Sequence, residues 1–512
     1  MLLSLSLAAA NPFDGTDLDA RRELLELAEH PGDLPCRTPL VAALHGHWNG
    51  MTASERARVD AVLTRPGGGL FSPVPERSEA APPPATDSCW SWSDNRIVGD
   101  HFVVEYETGV DRNDAETFLE DLEYSWSVEV DELGWRAPNG SDDYLILAYI
   151  ENERSGGAYT SIERCDGEDI PYFVTGKDSW DDPTWGATMA AHEFNHAIQF
   201  GYGYANEFWW WEATATWIED YVYPNANYWS GYVSGYSDNP HLALGTYSDS
   251  GNGFWHMYGM AIFAFYLDDY QGGHDTVMGT WEDASRDRGS YSRTAEDMAD
   301  DRGLEWATLY ADFAARNTTM AYTQQRYFPE VDIHDTVTSL PADGKSSSSD
   351  EPEGYGQNYI LFEQGLGDGD LVVSFEGDDG VDWSVQLVES KSGDLDRVEA
   401  ATSVDGVAEL TLSATGDADV YLVVSPLTDR DSGYSYTWTA ELVATPDDTG
   451  GDDTGQDSGT GDTDGDGIAD GDTDGGGSIE ISGGCGCDTG PSSAMATGVV
   501  LLAGLSVARR RF

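Results

Sequence analysis

Positive charge is scarce in this sequence of 512 residues. Lysine and arginine together number 26 against 93 aspartates and glutamates, which gives a formal net charge of −67. Lysine occurs at three positions only, Lys177, Lys345 and Lys391. Binding of nucleic-acid phosphates requires clustered cations, so this shortage argues against a nucleic-acid partner. The excess of carboxylates instead predicts a strongly hydrated, soluble surface.

Cysteine is also sparse, with five residues in the chain. The sequence begins MLLSLSLAAANPFDG, an apolar run that ends in three alanines and is typical of a secretory signal peptide, although the usual basic residues are missing. Export would place the cysteines in an oxidising compartment, where Cys89 and Cys165 could form a disulfide because both flank the region that carries the motifs below. Cys36 is then left over. An apolar N-terminus without a targeting role is the alternative.

The chain ends in GGCGCDTGPSSAMATGVVLLAGLSVARRRF. Cys485 and Cys487 precede sixteen uncharged residues, Ser493–Ala508, and a cluster of three arginines. Sixteen helical residues span roughly 24 Å, slightly less than a bilayer core, and the arginines fit a cytoplasmic stop. In the order of these features the segment resembles the myxobacterial C-terminal sorting signal. That resemblance implies processing near the two cysteines by the sorting machinery of the cell envelope and display on a bacterial cell surface, whereas a simple membrane tail is the alternative.

Shifts in composition divide the rest of the chain. Apolar residues at helical spacing predict helices in Asp17–His30 and Thr52–Leu63, and a stretch rich in Pro, Gly and Ser follows. Short segments with period-two alternation after residue 355 are typical of a β-sandwich. The predicted segments are a signal peptide at 1–10, a helical pro-segment with a Pro-rich linker at 11–87, a domain of mixed sheet and helices at 88–330, a linker at 331–354, the β-sandwich at 355–445, an Asp/Gly/Thr-rich linker at 446–484 and the C-terminal signal at 485–512. Within 88–330 the predicted helices include Asn113–Leu133, Phe254–Tyr270 and Leu304–Arg316.

The Asp-rich linker contains the string DTDGDGIAD. Its aspartates have the spacing of a calcium loop, with a glycine at the turn. The candidate Ca²⁺ ligands are Asp462, Asp464, Asp466 and Asp470. Thr473 occupies the position of the usual closing glutamate, so an accidental string in a repetitive acidic linker is the alternative interpretation.

Residues 190–220, AAHEFNHAIQFGYGYANEFWWWEATATWIED, carry the strongest chemical signal. His192 and His196 are four residues apart, so on a helix both imidazoles leave the same face one turn apart and can hold one metal ion. Glu193 lies between them and is offset enough to reach a water molecule rather than the metal. The HExxH pattern thus supplies two ligands and a base. A helix that carries two histidines by chance is the alternative.

A catalytic zinc site needs a third protein ligand, and spacing limits the choice. The metzincin pattern requires a glycine and a histidine at positions that other residues occupy in this sequence. The glycines and asparagine of GYGYAN predict a turn followed by a second helix. The helix rise brings Glu212 back level with His196, while Glu207 falls short and Glu219 overshoots by nearly two turns.

With these residues the segment resembles the gluzincin metallopeptidases. HEFNH matches their first motif, and WWWEATATWIED matches the second, in which a ligand glutamate is followed by small residues and an aromatic residue. The resemblance implies a zincin-like catalytic domain in which His192, His196 and Glu212 hold Zn²⁺, the fourth position is open, and Glu193 is the general base. Glu212 comes sixteen residues after His196, a shorter spacing than is usual in gluzincins, so the match requires a short turn. The acidic domain, the β-domain and the sorting tail together resemble secreted metalloproteases of myxobacteria.

Further residues are candidates for supporting roles. Gluzincins use a Tyr or His to stabilise the oxyanion, and the segment GFWHMYGMAIFAFYLDDY, which carries His256 and Tyr258, is similar to the helix that bears this residue; an aromatic core is the alternative. Thr216 and Glu219 share a helix face with Glu212 and could orient the ligand imidazoles, although a solvated Glu219 fits the sequence equally well. Cys36, in LPCRTPL, raises the hypothesis of a thiolate that occupies the open zinc position and keeps the enzyme latent, with disulfide pairing as the alternative.

The predicted fold class is α+β. A zincin-like catalytic domain with a mixed sheet and active-site helices precedes an all-β sandwich, an acidic linker and a C-terminal membrane segment. The predicted function is a secreted, surface-anchored zinc metallopeptidase that hydrolyses a protein or peptide substrate with zinc-activated water. The alternative is a surface adhesion or binding protein whose zincin domain is degenerate and whose β-sandwich carries the function.

Overall fold

The computed structural model describes most of the chain between residues 38 and 444. The described residues are 38–46, 50–63, 72–73, 95–154, 157–165, 168–203, 208–247, 251–284, 303–414, 416–428 and 432–444, together with Leu25, Ala299 and Arg430. They form a mixed α+β fold with several sheets. The predicted signal peptide, Cys36, Cys89, the Asp-rich linker and the C-terminal segment lie outside the described residues. No helix within these ranges combines the length and the apolar character needed to cross a bilayer.

Two helices precede the first sheet. These are α1, Thr38–Gly46, and α2, Ala53–Leu63. α2 begins at a capping box, in which the Thr52 amide donates to Glu55 Oε2 over 2.7 Å and the Glu55 amide donates to Thr52 Oγ1 over 3.3 Å. The apolar residues of α1 from Leu40 to Leu44 are buried, so this helix is packed against the rest of the protein.

The first sheet is mixed. Its strands are β1 (Ser72–Pro73), β2 (Arg96–Val98), β3 (Phe102–Tyr106), β4 (Tyr144–Glu151), β5 (Ala158–Cys165) and β6 (Glu168–Gly176). The order is β2-β3-β4-β6-β5, with β1 beside the start of β4. The central strands β3, β4 and β6 are parallel, and the edge strands β2 and β5 are antiparallel to their neighbours. Alternate residues of β3 and β4 contribute to two separate cores, one of which is shared with the helices.

Helices cover one face of this sheet and continue into a helical region. They are α3 (Arg112–Trp126), α4 (Pro183–Tyr202), α5 (Phe208–Val222), α6 (Trp229–Ser237), α7 (Gly251–Gly259), α8 (Ala261–Tyr270), α9 (His274–Ala284) and α10 (Trp306–Arg316), with 3₁₀ turns at Lys177–Trp180 and Gln325–Tyr327. α3 passes into a π-helical turn, Ser127–Glu132, within the range predicted as one helix. The predicted helix Phe254–Tyr270 is instead two helices, α7 and α8, which are separated at Met260.

α4 is the central helix of the fold. Asp182 caps its N-terminus by accepting from the Thr184 amide over 3.0 Å and the Trp185 amide over 3.3 Å, and Pro183 occupies the first turn. Every residue from Gly186 to Tyr202 is buried. α4 contacts α3 and α5 as well as strands β5 and β6, so a side chain on α4 is held from several directions.

Glycine allows α6 and α7 to pack at very short distance. A β-carbon on Gly235 would lie 2.1 Å from the backbone oxygen of Trp255, and one on Gly259 would lie 2.4 Å from the backbone nitrogen of Tyr236. Both distances are far below van der Waals contact. A β-carbon on Gly231, about one turn closer to the start of α6, would meet no atom of the described residues within 4 Å.

We expect Gly235→Ala to lower the free energy of unfolding by about 3 kcal/mol, because the added methyl group forces the two helices apart. Gly231→Ala is the matched control on the same helix, and we expect it to raise that free energy by up to about 1 kcal/mol, since alanine is the better helix former. Denaturant titration of the full-length variants measures both changes. Equal stability of the two variants would contradict the close packing of α6 and α7.

Two further sheets form the C-terminal part of the described chain. Their strands are β7 (Asp335–Val337), β8 (Ala342–Lys345), β9 (Asn358–Phe362), β10 (Gly369–Gly377), β11 (Trp383–Lys391), β12 (Asp394–Thr402), β13 (Val407–Ala414), β14 (Asp419–Pro426) and β15 (Tyr436–Val443). The strand orders are β13-β10-β15-β8 and β12-β11-β14-β9-β7. Buried residues of both sheets, such as Phe375 and Leu387, belong to one apolar core.

Three of these strands differ from the sequence-based expectations. β7 and β8 lie within 331–354, the range predicted as a linker, and they pair with β9 and β15. Both are short and mostly polar, so the chain shows no apolar alternation there. β12 was not predicted either, because most of its residues are exposed and polar.

Candidate metal centre

The helix pair α4 and α5 brings three predicted ligands together. Ligand atoms of His192, His196 and Glu212 all lie within 4.8 Å of one another. Glu212 Oε2 is 3.1 Å from His192 Nε2 and 3.7 Å from His196 Nε2. His196 and Glu212 are fully buried, and His192 is 7% exposed, so the cluster meets solvent on the side of His192.

Two observations suit the cluster to a metal ion: the kind of donor atoms it offers and one buried oxygen that lacks a hydrogen-bond partner among the described residues. Two imidazole nitrogens and a carboxylate oxygen are a donor set suited to a first-row transition metal or zinc. Glu212 Oε1 is buried and has no hydrogen-bond partner among the described residues. A buried carboxylate oxygen without a partner is costly, and coordination of a cation is one way to satisfy it. Glu207, the rejected alternative ligand, lies outside the described residues.

Electrostatics favour a charged Glu212. Burial by itself would raise the pKa of this carboxyl, but the charges and hydrogen bonds of His196 and His192 outweigh burial and lower the pKa well below its ordinary value. A carboxylate that remains ionised in a buried site attracts a cation.

Each imidazole has a second partner at Nδ1. His192 Nδ1 lies 3.0 Å from Glu219 Oε1, and Glu219 is 4% exposed, so the structure places this glutamate beside the cluster and not in solvent. His196 Nδ1 lies 2.7 Å from Gln199 Oε1. Such partners orient ligand imidazoles and leave Nε2 for the metal. Thr216 is buried, but its hydroxyl makes no hydrogen bond to the described residues.

Glu193 is held next to the cluster by strand β5. Its carboxylate Oε2 accepts from Thr160 Oγ1 over 2.7 Å, and the same hydroxyl lies 2.8 Å from the Glu193 backbone oxygen. Glu193 is 3% exposed. Burial raises its pKa above the ordinary value, although His196, His192 and Thr160 act in the opposite direction.

Aromatic rings border the solvent side of His192. The Tyr258 ring centroid is 6.0 Å from that of His192, and Tyr232 is 5.4 Å from Tyr258. Trp255, which is 50% exposed, stacks on Tyr232 at 6.2 Å. Burial, followed by the charge of Glu219, raises the pKa of Tyr232 to about 12, so its hydroxyl stays protonated and can donate.

His256 occupies a different environment from Tyr258. Its ring lies 6.0 Å from that of Tyr236, it is 1% exposed, and neither ring nitrogen has a hydrogen-bond partner among the described residues. Burial lowers the pKa of His256 to about 3, so the imidazole is neutral. Of the two predicted oxyanion residues, the structure places Tyr258 beside His192 and buries His256 against Tyr236.

Several residues around the cluster were missed from the sequence. Gln199 is three residues after His196, so helical spacing alone could have indicated it. Thr160 and Tyr232 come from other elements, and no local pattern in the sequence connects them with the HExxH helix. Cys165 is the last residue of β5, but its predicted partner Cys89 lies outside the described residues, as do Cys36, Cys485, Cys487 and the candidate calcium ligands Asp462, Asp464, Asp466 and Asp470.

The fold and the site define a mixed α+β protein with a buried His–His–Glu cluster that could hold a metal ion. The chain belongs to a family of unknown function, DUF6055, whose model matches residues 89–439. The match includes the whole cluster and both C-terminal sheets except the last residues of β15, while α1 and α2 precede it. None of the curated proteins compared with this chain matches it.

Among solved structures, the chain is similar to a family GH115 4-O-methyl-α-glucuronidase described as having specificity for decorated arabinogalactans. The identity is 11% and the TM-score is 0.12; the match covers 52% of this chain and 43% of that chain. The chain thus spans less than half the length of that enzyme. A similarity of this size carries no argument about fold or function.

Proposed function

We propose that this protein is a zinc metallopeptidase of the gluzincin type. The described N-terminal sheet and helices then correspond to a zincin-like catalytic domain, and the two C-terminal sheets correspond to a β-sandwich. With the predicted signal peptide and sorting segment, the enzyme would be secreted and displayed on a bacterial cell surface. A protein or peptide is the proposed substrate.

One observation carries this proposal. His192, His196 and Glu212 converge in a buried cluster, in which the Oε1 atom of Glu212 lacks a hydrogen-bond partner among the described residues. A second glutamate, Glu193, is buried on α4, the helix that carries both histidines. A structural zinc site closes its fourth position with a protein ligand and needs no base. Three ligands with an adjacent carboxylate instead support a catalytic site.

Different residues would hold the ion and orient its ligands. His192 Nε2, His196 Nε2 and Glu212 would hold the ion, and Glu219 would orient His192 through Nδ1. When bound, zinc supplies Lewis-acid polarisation of a substrate carbonyl and makes water more acidic.

Glu193 would transfer a proton from the attacking water to the leaving amine. Thr160 donates to Glu193 Oε2, so Oε1 is the oxygen that takes a proton from the attacking water and returns it to the leaving amine. The Tyr258 ring lies 6.0 Å from that of His192, and the Tyr232 ring lies 5.4 Å from that of Tyr258, so the hydroxyl of either residue would be the candidate donor to the oxyanion.

Digestion of a mixed peptide library by the full-length protein tests the function and maps specificity together. We expect cleavage that stops after treatment with a chelator and returns when zinc is added back. A protein that contains one zinc per chain but cleaves nothing would argue against a peptidase. A protein that binds no zinc would favour the alternative, a binding protein with a degenerate site.

A further inference from the structure

Gln199 lies at the centre of a buried polar group behind His196. Its Nε2 is 3.1 Å from the Trp211 backbone oxygen, 3.0 Å from Thr214 Oγ1 and 2.7 Å from Asn195 Oδ1. Its Oε1 is 2.7 Å from His196 Nδ1. Gln199 is fully buried, so its amide makes hydrogen bonds to these protein groups and not to bulk solvent.

The neighbours fix which end of the amide faces His196. A backbone oxygen can only accept, so the amide nitrogen of Gln199 must face Trp211. Thr214 agrees with this orientation, because its hydroxyl donates to the Trp210 backbone oxygen over 2.8 Å and its lone pairs are left to accept. Gln199 Oε1 therefore faces His196, and because an oxygen accepts, His196 must carry its proton on Nδ1.

The hydrogen bonds continue from Gln199 through Asn195 to the buried carboxyl group of Glu129. Asn195 accepts from Gln199 through Oδ1 and donates through Nδ2 to Glu129 Oε2 over 3.0 Å. Glu129 belongs to the π-helical turn after α3 and is fully buried. π-helical turns interrupt regular helices and occur often at functional sites. The amides of Asn195 and Gln199 are thus held from both ends.

We propose that Gln199 is a positioning residue that locks His196 in the tautomer with a lone pair on Nε2, ready for a metal. The inference rests on the proposed metal site, but its direct readout is the tautomer. A residue that acts only in packing would have no effect on where the imidazole proton lies.

Two measurements test this role on the full-length protein. Nitrogen NMR of histidine-labelled, metal-free protein, recorded at a pH where the imidazole is neutral, is expected to show the His196 proton on Nδ1; a proton on Nε2 in place of Nδ1 would overturn the proposal. In Gln199→Met, which keeps the length of the side chain but has no acceptor, we expect zinc affinity to fall by about 10–100-fold in a chelator competition. Equal affinity of Gln199→Met and the wild type would contradict the proposal, whatever the activity of either protein.

Discussion

Glu193→Gln is expected to lower kcat/KM on a peptide substrate by about 10³-fold, because the amide cannot take a proton from water. The substitution keeps the size of the side chain, and the amide oxygen can still accept from Thr160 Oγ1. The metal cluster should therefore persist, with an unchanged zinc content. Initial rates on a fluorogenic peptide and metal analysis of the same preparation measure both quantities.

Glu120→Gln is a suitable control for this experiment. Glu120 is exposed on α3, and its replacement removes the same charge as Glu193→Gln does. We expect its rate to equal that of the wild type. A Glu193→Gln variant that retains wild-type activity would exclude Glu193 as the general base.

Glu212→Ala is expected to weaken zinc binding by at least about 100-fold, since loss of a direct ligand should exceed the 10–100-fold effect of losing an outer partner. The carboxylate that lies between the two imidazoles is then gone, and two histidines remain. Competition with a chelator of known affinity measures the change in the full-length protein.

Glu120→Ala again serves as the control, and its zinc affinity should equal that of the wild type. Unchanged zinc affinity in Glu212→Ala would mean that the ion, if one binds, is held elsewhere. The third ligand would then have to be sought among other residues.

Local patterns in the sequence are sufficient to indicate much of this site. The spacing of His192 and His196 places both imidazoles on one helix face, and helix rise places Glu212 level with them. In the structure one ligand atom from each of the three side chains lies within 4.8 Å of the other two, and α4 and α5 are helices as expected. These relations depend on helix geometry and one short connection, which sequence spacing can express.

Other parts of the site depend on long-range packing. Thr160 reaches Glu193 because β5 is an edge strand next to α4, and no spacing in the sequence encodes that neighbour. Tyr232 and Trp255 meet at the site because Gly235 and Gly259 let α6 and α7 approach closely. The three consecutive tryptophans 209–211 are all buried, although successive helical positions point in different directions, because α5 is surrounded by other elements.

Among the strands, the apolar ones were more predictable than the polar ones. β9, β10 and β14 alternate or run apolar, so their sequences predict strands directly. β12 is held by its pairing with β11 and carries few apolar residues, so pattern alone misses it.

We propose that His192, His196 and Glu212 bind zinc. Crystals of the full-length protein purified with zinc, measured on both sides of the zinc absorption edge, test it most directly. We expect one anomalous peak between His192 Nε2, His196 Nε2 and the Glu212 carboxylate. An ordered cluster without a peak at that position would contradict it.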